Sequence, residues 1–119
     1  MKIEIGEYVR TKEGDITRIT RFCELEFNKV RINSIVGENG CLYGNPDKVV
    51  KKHSHNIIDL IEIGDYVNGY KVRGKTKERV VLDYYYYSDE LCDGYWISLR
   101  DNIYSIVTKE QFKNMEYRV

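Results

Sequence analysis

What most constrains this chain is a repeat of its own opening. Ile3-Glu4-Ile5-Gly6-Glu7-Tyr8-Val9 returns as Ile61-Glu62-Ile63-Gly64-Asp65-Tyr66-Val67, identical at six of seven positions and acidic at the seventh, at an offset of 58 residues. A weaker echo, Val49-Val50-Lys51-Lys52 against Ile106-Val107-Thr108-Lys109, keeps the offset at 57. Two matches in nearly one register define a duplicated unit of about half the 119-residue chain, so one supersecondary structure is expected twice. The expected division is residues 1–58 and 59–119. With one proline and no Gly/Ser-rich linker between them, the two units are expected to pack together.

The motif glycine is expected to supply a tight bend, after which alternation of side chains starts a strand. In the first unit Tyr8-Val9-Arg10-Thr11 runs into a Lys12-Glu13-Gly14 turn, and a strand follows from Ile16 to Phe22. Leu25/Phe27 and Val30/Ile32 alternate in different phases, which predicts a break or hairpin at Asn28-Lys29. Glu38-Asn39-Gly40 is a hairpin signal, and Gly44-Asn45-Pro46-Asp47 is a further turn. In the second unit strands are expected over 66–73, 79–87 and 95–99, with turns at Gly74-Lys75 and Cys92-Asp93-Gly94. Thr108-Lys109-Glu110-Gln111 has capping-box spacing and predicts a short helix over 109–115. Residues 54–60 are its candidate counterpart in the first unit, without the box.

Many short strands separated by glycine-acid bends suggest a small, strongly bent sheet. The pattern I-x-x-G-[ED]-Y-V-R-T-x-x-G-x-I-x-x-I, from Ile3 through Ile19, resembles the opening of SH3-like and KOW-like barrels. The expected fold class is mainly β, as two tandem SH3-like small β-barrel repeats packed together with a short C-terminal helix.

Charge and composition narrow the function. Nineteen Lys+Arg balance nineteen Asp+Glu, whereas a protein that coats DNA or RNA normally carries a strong basic excess. The same balance argues against a globally acidic DNA mimic. Hydrophobic residues make up 42% of the chain, enough for a packed core rather than a disordered tail. The charged opening Met1-Lys2-Ile3-Glu4 does not read as a secretory signal, and no apolar run is long enough to span a membrane. Cys23, Cys41 and Cys92 are far apart and odd in number, so reduced thiols in a cytosol are expected. No G-x-S-x-G, H-E-x-x-H, Walker or Rossmann pattern occurs. The chain is expected not to be an enzyme and to need no cofactor or metal.

Three constellations remain. Lys71, Arg73, Lys75, Lys77 and Arg79 are all odd-numbered, so one continuous strand would set them on one face, suited to a phosphate backbone. The same residues also suit a soluble hairpin tip at Gly74-Lys75-Thr76-Lys77. Residues 59–119 carry nine basic against eleven acidic groups, so this stripe sits in the more acidic half. Second, the segment from Asp83 to Trp96 holds Tyr84-Tyr85-Tyr86-Tyr87, part of a total of eleven tyrosines. If Val80, Leu82, Tyr84 and Tyr86 face the core, Tyr85 and Tyr87 point outward beside Asp89, Glu90 and Asp93, with Tyr95 and Trp96 following. Tyrosine and tryptophan are enriched in protein-binding hot spots, and a tyrosine pair covering a core between the units is the rival use. Third, His53 and His55 stand two apart beside Lys51-Lys52. No further ligand lies near them in sequence, so a surface pair is expected rather than a metal site.

The opening Met1–Thr11, the stretch from Val50 through Val72 and the end from Ser105 through Val119 together resemble a family of small proteins of phages and prophages of Gram-positive bacteria. The blocks from Phe22 to Lys48 and from Arg73 to Asp101 lie outside that resemblance. It implies a viral accessory protein in the host bacterial cytoplasm, working as a non-catalytic inhibitor of a defence component, most concretely an anti-CRISPR-type inhibitor of a Cas nuclease. The residues expected to meet the partner are Tyr85, Tyr87, Asp89, Glu90, Asp93, Tyr95 and Trp96. The alternatives are a KOW-like nucleic-acid binder using Lys71, Arg73, Lys75, Lys77 and Arg79, and a phage structural or scaffolding subunit.

Overall fold

A computed structural model describes residues 2–85, 94–100 and 102–114. The chain is mainly β and divides into two compact units, Met1–Leu60 and Ile61–Val119. In the first, β1 (Tyr8–Thr11), β2 (Ile16–Phe27), β3 (Val30–Gly37) and β4 (Leu42–Tyr43) form a meander. A short helix α1 (Pro46–Val49) follows, then β5 (Val50–Ser54) and a 3-10 turn, Ile57–Leu60. In the second, β6 (Tyr66–Val67), β7 (Tyr70–Lys75), β8 (Val80–Tyr85), β9 (Gly94–Leu99) and β10 (Ile106–Val107) lead to helix α2 (Lys109–Asn114).

Strand order shows that the sequence repeat is a repeat of topology. Each sheet has five antiparallel strands, ordered β5-β1-β2-β3-β4 in the first unit and β10-β6-β7-β8-β9 in the second. In both, the last strand returns to pair with the first.

The seven-residue motif folds identically in the two units. Gly6 and Gly64 adopt φ of +95° and +99°, a region where a side chain would strain the backbone. Their N–H groups donate to Ile19 O and Val72 O, which fixes the bend against β2 and β7. Ile3, Val9, Ile61 and Val67 are buried, while Ile5 and Ile63 remain 59% and 63% exposed. The first unit's core is Ile3, Val9, Ile19, Ile35 and Val50, with Tyr43 against it.

Turn chemistry sets the strand ends. Asn28 and Lys29 both have positive φ, 51° and 67°, the signature of a two-residue hairpin whose twist matches its strands. The hairpin falls at the expected break, but β2 continues to Phe27 rather than ending at Phe22. The single strand expected over 66–73 is instead two. Asn68 and Gly69, at φ 52° and 85°, turn the chain back after Val67, so β6 pairs with β7. The 54–60 counterpart of the C-terminal helix is a 3-10 turn. It is tied down by Arg10, a fully buried side chain whose Nη1 donates to Leu60 O at 2.9 Å.

At the other end of the second unit the capping box forms in full. Thr108 Oγ1 accepts from Gln111 N at 3.2 Å and Gln111 Oε1 accepts from Thr108 N at 3.1 Å. The reciprocal pair satisfies two donors that a helix start leaves open.

Candidate partner-binding site

The aromatic segment begins on a well-anchored ladder. β8 pairs with β9 in the register Val80–Leu99, Leu82–Ile97, Asp83–Trp96, Tyr84–Tyr95 and Tyr85–Gly94. Val80 and Leu82 are completely buried, so the base of the ladder is packed and its far rungs carry the aromatic residues. Of the expected interface residues, Tyr95 and Trp96 occupy neighbouring rungs and Tyr85 lies opposite Gly94. Tyr87, Asp89, Glu90 and Asp93 lie outside the described residues. Asp83 also receives Arg73 Nη1 at 3.4 Å. Arg73 is half exposed, so this pair contributes at most about 1 kcal/mol.

The five cations do not form one stripe. β7 ends at Lys75, and residues 76–79 turn back, with Thr76 N donating to Arg79 O at 2.9 Å. The Thr76 hydroxyl also accepts from the amides of Glu78 and Arg79. Lys77 therefore sits in a hairpin turn, and Arg79 at its end. A β-bulge between Val72 and Gly74 then changes the alternation, pairing Val72 with Leu82 but Lys75 with Val80. Because cross-strand partners share a face, Lys75 takes the register of buried Val72, while Lys71 and Arg73 alternate to the opposite side. The extra residue of a bulge undoes a stripe counted by odd numbers.

In the first unit the two histidines meet two carboxylates. Glu7 Oε2 accepts from Glu4 N at 2.7 Å, and Glu7 Oε1 lies 3.1 Å from His53 Nδ1. His55 Nε2 lies 3.2 Å from Glu4 Oε2. Burial pushes the Glu7 carboxyl up, but the Glu4 amide and the His53 imidazole, with the His55 charge, outweigh it and hold the group below its ordinary value. In the second unit Asp65 Oδ2 accepts from Glu62 N at 2.7 Å and Asp65 Oδ1 from Lys109 N at 2.9 Å, while Lys109 Nζ reaches Glu62 Oε1 at 2.7 Å. The histidines thus do in one unit what Lys109 does in the other, and each fastens the motif to the end of its own unit. Among the described residues, no group of three or more His, Cys, Asp or Glu is placed to hold a metal ion.

Sequence reasoning missed Asn68. Its Oδ1 accepts from Tyr104 N at 2.7 Å and Ser105 N at 3.1 Å, and its Nδ2 donates to Asn102 O at 2.9 Å. The Asn68-Gly69 pair was the available signal. Among the described residues no helix is long and apolar enough to cross a membrane. Compared with models of known protein families, with curated proteins and with solved structures, the chain matches none.

Proposed function

We propose that the chain is a phage-encoded, non-catalytic inhibitor that binds a bacterial defence protein in the host cytoplasm, of the anti-CRISPR type and directed at a Cas nuclease. The observation that carries this reading is the β8–β9 register, which sets Asp83 across from Trp96 and Tyr84 across from Tyr95 above a fully buried base. A paired ladder bearing tyrosine and tryptophan suits an interface hot spot, where rigid aromatic area supplies most of the affinity. Acidic residues of the same segment suit a basic groove shaped for phosphate, where they steer association and take the place of nucleic acid. The scaffold is read as two SH3-like barrels. Support comes from the shared five-strand order, the return of the last strand to the first, and the helical turn α1 just ahead of β5. The phage origin rests on the resemblance of residues 1–11, 50–72 and 105–119.

The test is capture of partners by the tagged protein from host lysate, with and without nuclease digestion, followed by a cleavage assay with the purified target. A Cas or other defence protein retained after digestion, and inhibited by the purified chain, supports the reading. Binding lost with the nucleic acid overturns it in favour of the Lys71–Arg79 hairpin. Copurification with capsid components overturns it in favour of a structural role.

A further inference from the structure

The β2–β3 hairpin outruns its sheet. On one side β1 pairs with β2 only at Ile16, Thr17 and Arg18, and on the other β4 pairs with β3 only at Ile35 and Val36. Beyond those rungs the hairpin continues to Phe27 and Val30. Its two-residue turn closes on Phe27–Val30 as a hydrogen-bonded pair, and such pairs alternate along an antiparallel ladder. Val30, Ile32 and Ser34 therefore direct their backbone groups to β2, while Arg31 and Asn33 direct theirs outward. No backbone partner for either lies on that side among the described residues.

The space beside them is walled. A cleft of about 620 Å³ is lined by Arg31 and Asn33 and by Gly44, Asn45, Asp47 and Lys48. A second, of about 490 Å³, also reaches Asn33, and is lined by Phe22, Glu24 and Pro46. The larger cleft lies where β4 would continue had the chain not left the sheet at Gly44. We infer that this edge is a docking site for an extended segment of a partner protein, added antiparallel to β3 in the line of β4. A strand is the occupant whose own N–H and C=O groups match an open edge. Lining charges of both signs, Arg31 and Lys48 against Asp47 and Glu24, leave selection to the backbone. This inference is independent of the role given to the Tyr84–Trp96 segment.

Amide hydrogen exchange by NMR tests it on the full chain, with an end-capped heptapeptide of alternating valine and threonine as probe. In the free protein the amides of Arg31 and Asn33 exchange fast while those of Ile32 and Ser34 are protected. Saturating peptide slows Arg31 and Asn33 by roughly tenfold. The same peptide N-methylated throughout has no effect, and Asn33→Pro, which removes an outward N–H that an edge strand can spare, abolishes the protection. An unchanged exchange rate at up to about 1 mM peptide, or equal protection by the methylated peptide, overturns the proposal. So does protection that grows with protein concentration alone, which would assign the edge to a second copy of the chain.

Discussion

Glu7 and Asp65, 58 residues apart, each accept at 2.7 Å the backbone N–H of the residue three positions earlier, Glu4 and Glu62. The second oxygen of each then reaches the far end of its unit, the His53 ring or the Lys109 amide. One carboxylate so closes the first turn and clasps the last segment to it. The clasp explains why the motif keeps an acid where Glu and Asp exchange, because only the reach of the side chain differs. Asp65→Ala would leave two amides without acceptors at a site that is completely buried. Stability should fall by about 1–3 kcal/mol for each amide left unpaired, measured by urea denaturation. Asp65→Asn, which retains one acceptor, should lose less. An Asp65→Ala variant as stable as the parent would rule the clasp out.

Glu7 makes the first clasp sensitive to acid. Its carboxyl sits below the ordinary value of 4.5 in the folded chain, so the unfolded chain takes up the proton first. The stabilisation is therefore fully present above that ordinary value and is lost as pH falls through the lower, folded one. Glu7→Gln removes this contribution. The stability gap between parent and variant should be widest near neutrality and close in acid, followed by urea titrations between about pH 3 and pH 7. A gap that stays constant over that range contradicts the assignment.

The sequence made the duplicated plan legible because it lies in local chemistry. Gly6 and Gly64 mark the bends, Asn28-Lys29 falls between two alternation phases, and Thr108 with Gln111 spells its own cap. Each is decided by residues within a few positions of one another. What stayed hidden depends on partners far along the chain. His53 and His55 look like a spare surface pair until β5 lies against β1 and brings Glu7 and Glu4 beside them. The odd-numbered cations look like a stripe until the bulge after Val72 reverses the alternation. Arg10 reads as an ordinary strand residue, yet it is buried and holds Leu60 O, while its repeat counterpart Asn68 turns the chain and holds residues 102–105 instead. At this one position the repeats differ in the long-range tie that each unit makes.

That tie gives a further test. Asn68 combines a left-handed backbone with three side-chain hydrogen bonds to the loop that leads into β10. Asn68→Gly keeps the conformation but drops the bonds. Asn68→Asp keeps both acceptor contacts but sets a carboxylate oxygen against Asn102 O. Both should lower stability by about 1–3 kcal/mol and speed amide exchange at Tyr104 and Ser105. Exchange at Val9, in the other unit's core, should not follow. Unaltered exchange at Tyr104 would show that the loop is held by other means.

The ladder and the hairpin make opposite claims on a partner, which substitutions can separate. If Trp96 anchors a protein interface, Trp96→Ala should weaken binding to the captured target by about 2 kcal/mol or more, the range of a hot-spot aromatic. Lys77→Gln, at the exposed turn of the β7–β8 hairpin, should change it by no more than about 0.5 kcal/mol. A nucleic-acid interface would reverse the ranking and would show affinity falling steeply with salt, in proportion to the phosphates contacted. The Asp83–Trp96 rung lets both be read in one titration series, because Asp83 also pairs with Arg73 across the β7–β8 ladder. Asp83→Asn removes one negative charge beside Arg73 and makes the hairpin more basic, so it should weaken a basic protein partner and strengthen a nucleic acid. Isothermal titration of parent, Trp96→Ala, Lys77→Gln and Asp83→Asn at two salt concentrations therefore separates the readings by the sign of the Asp83 effect alone.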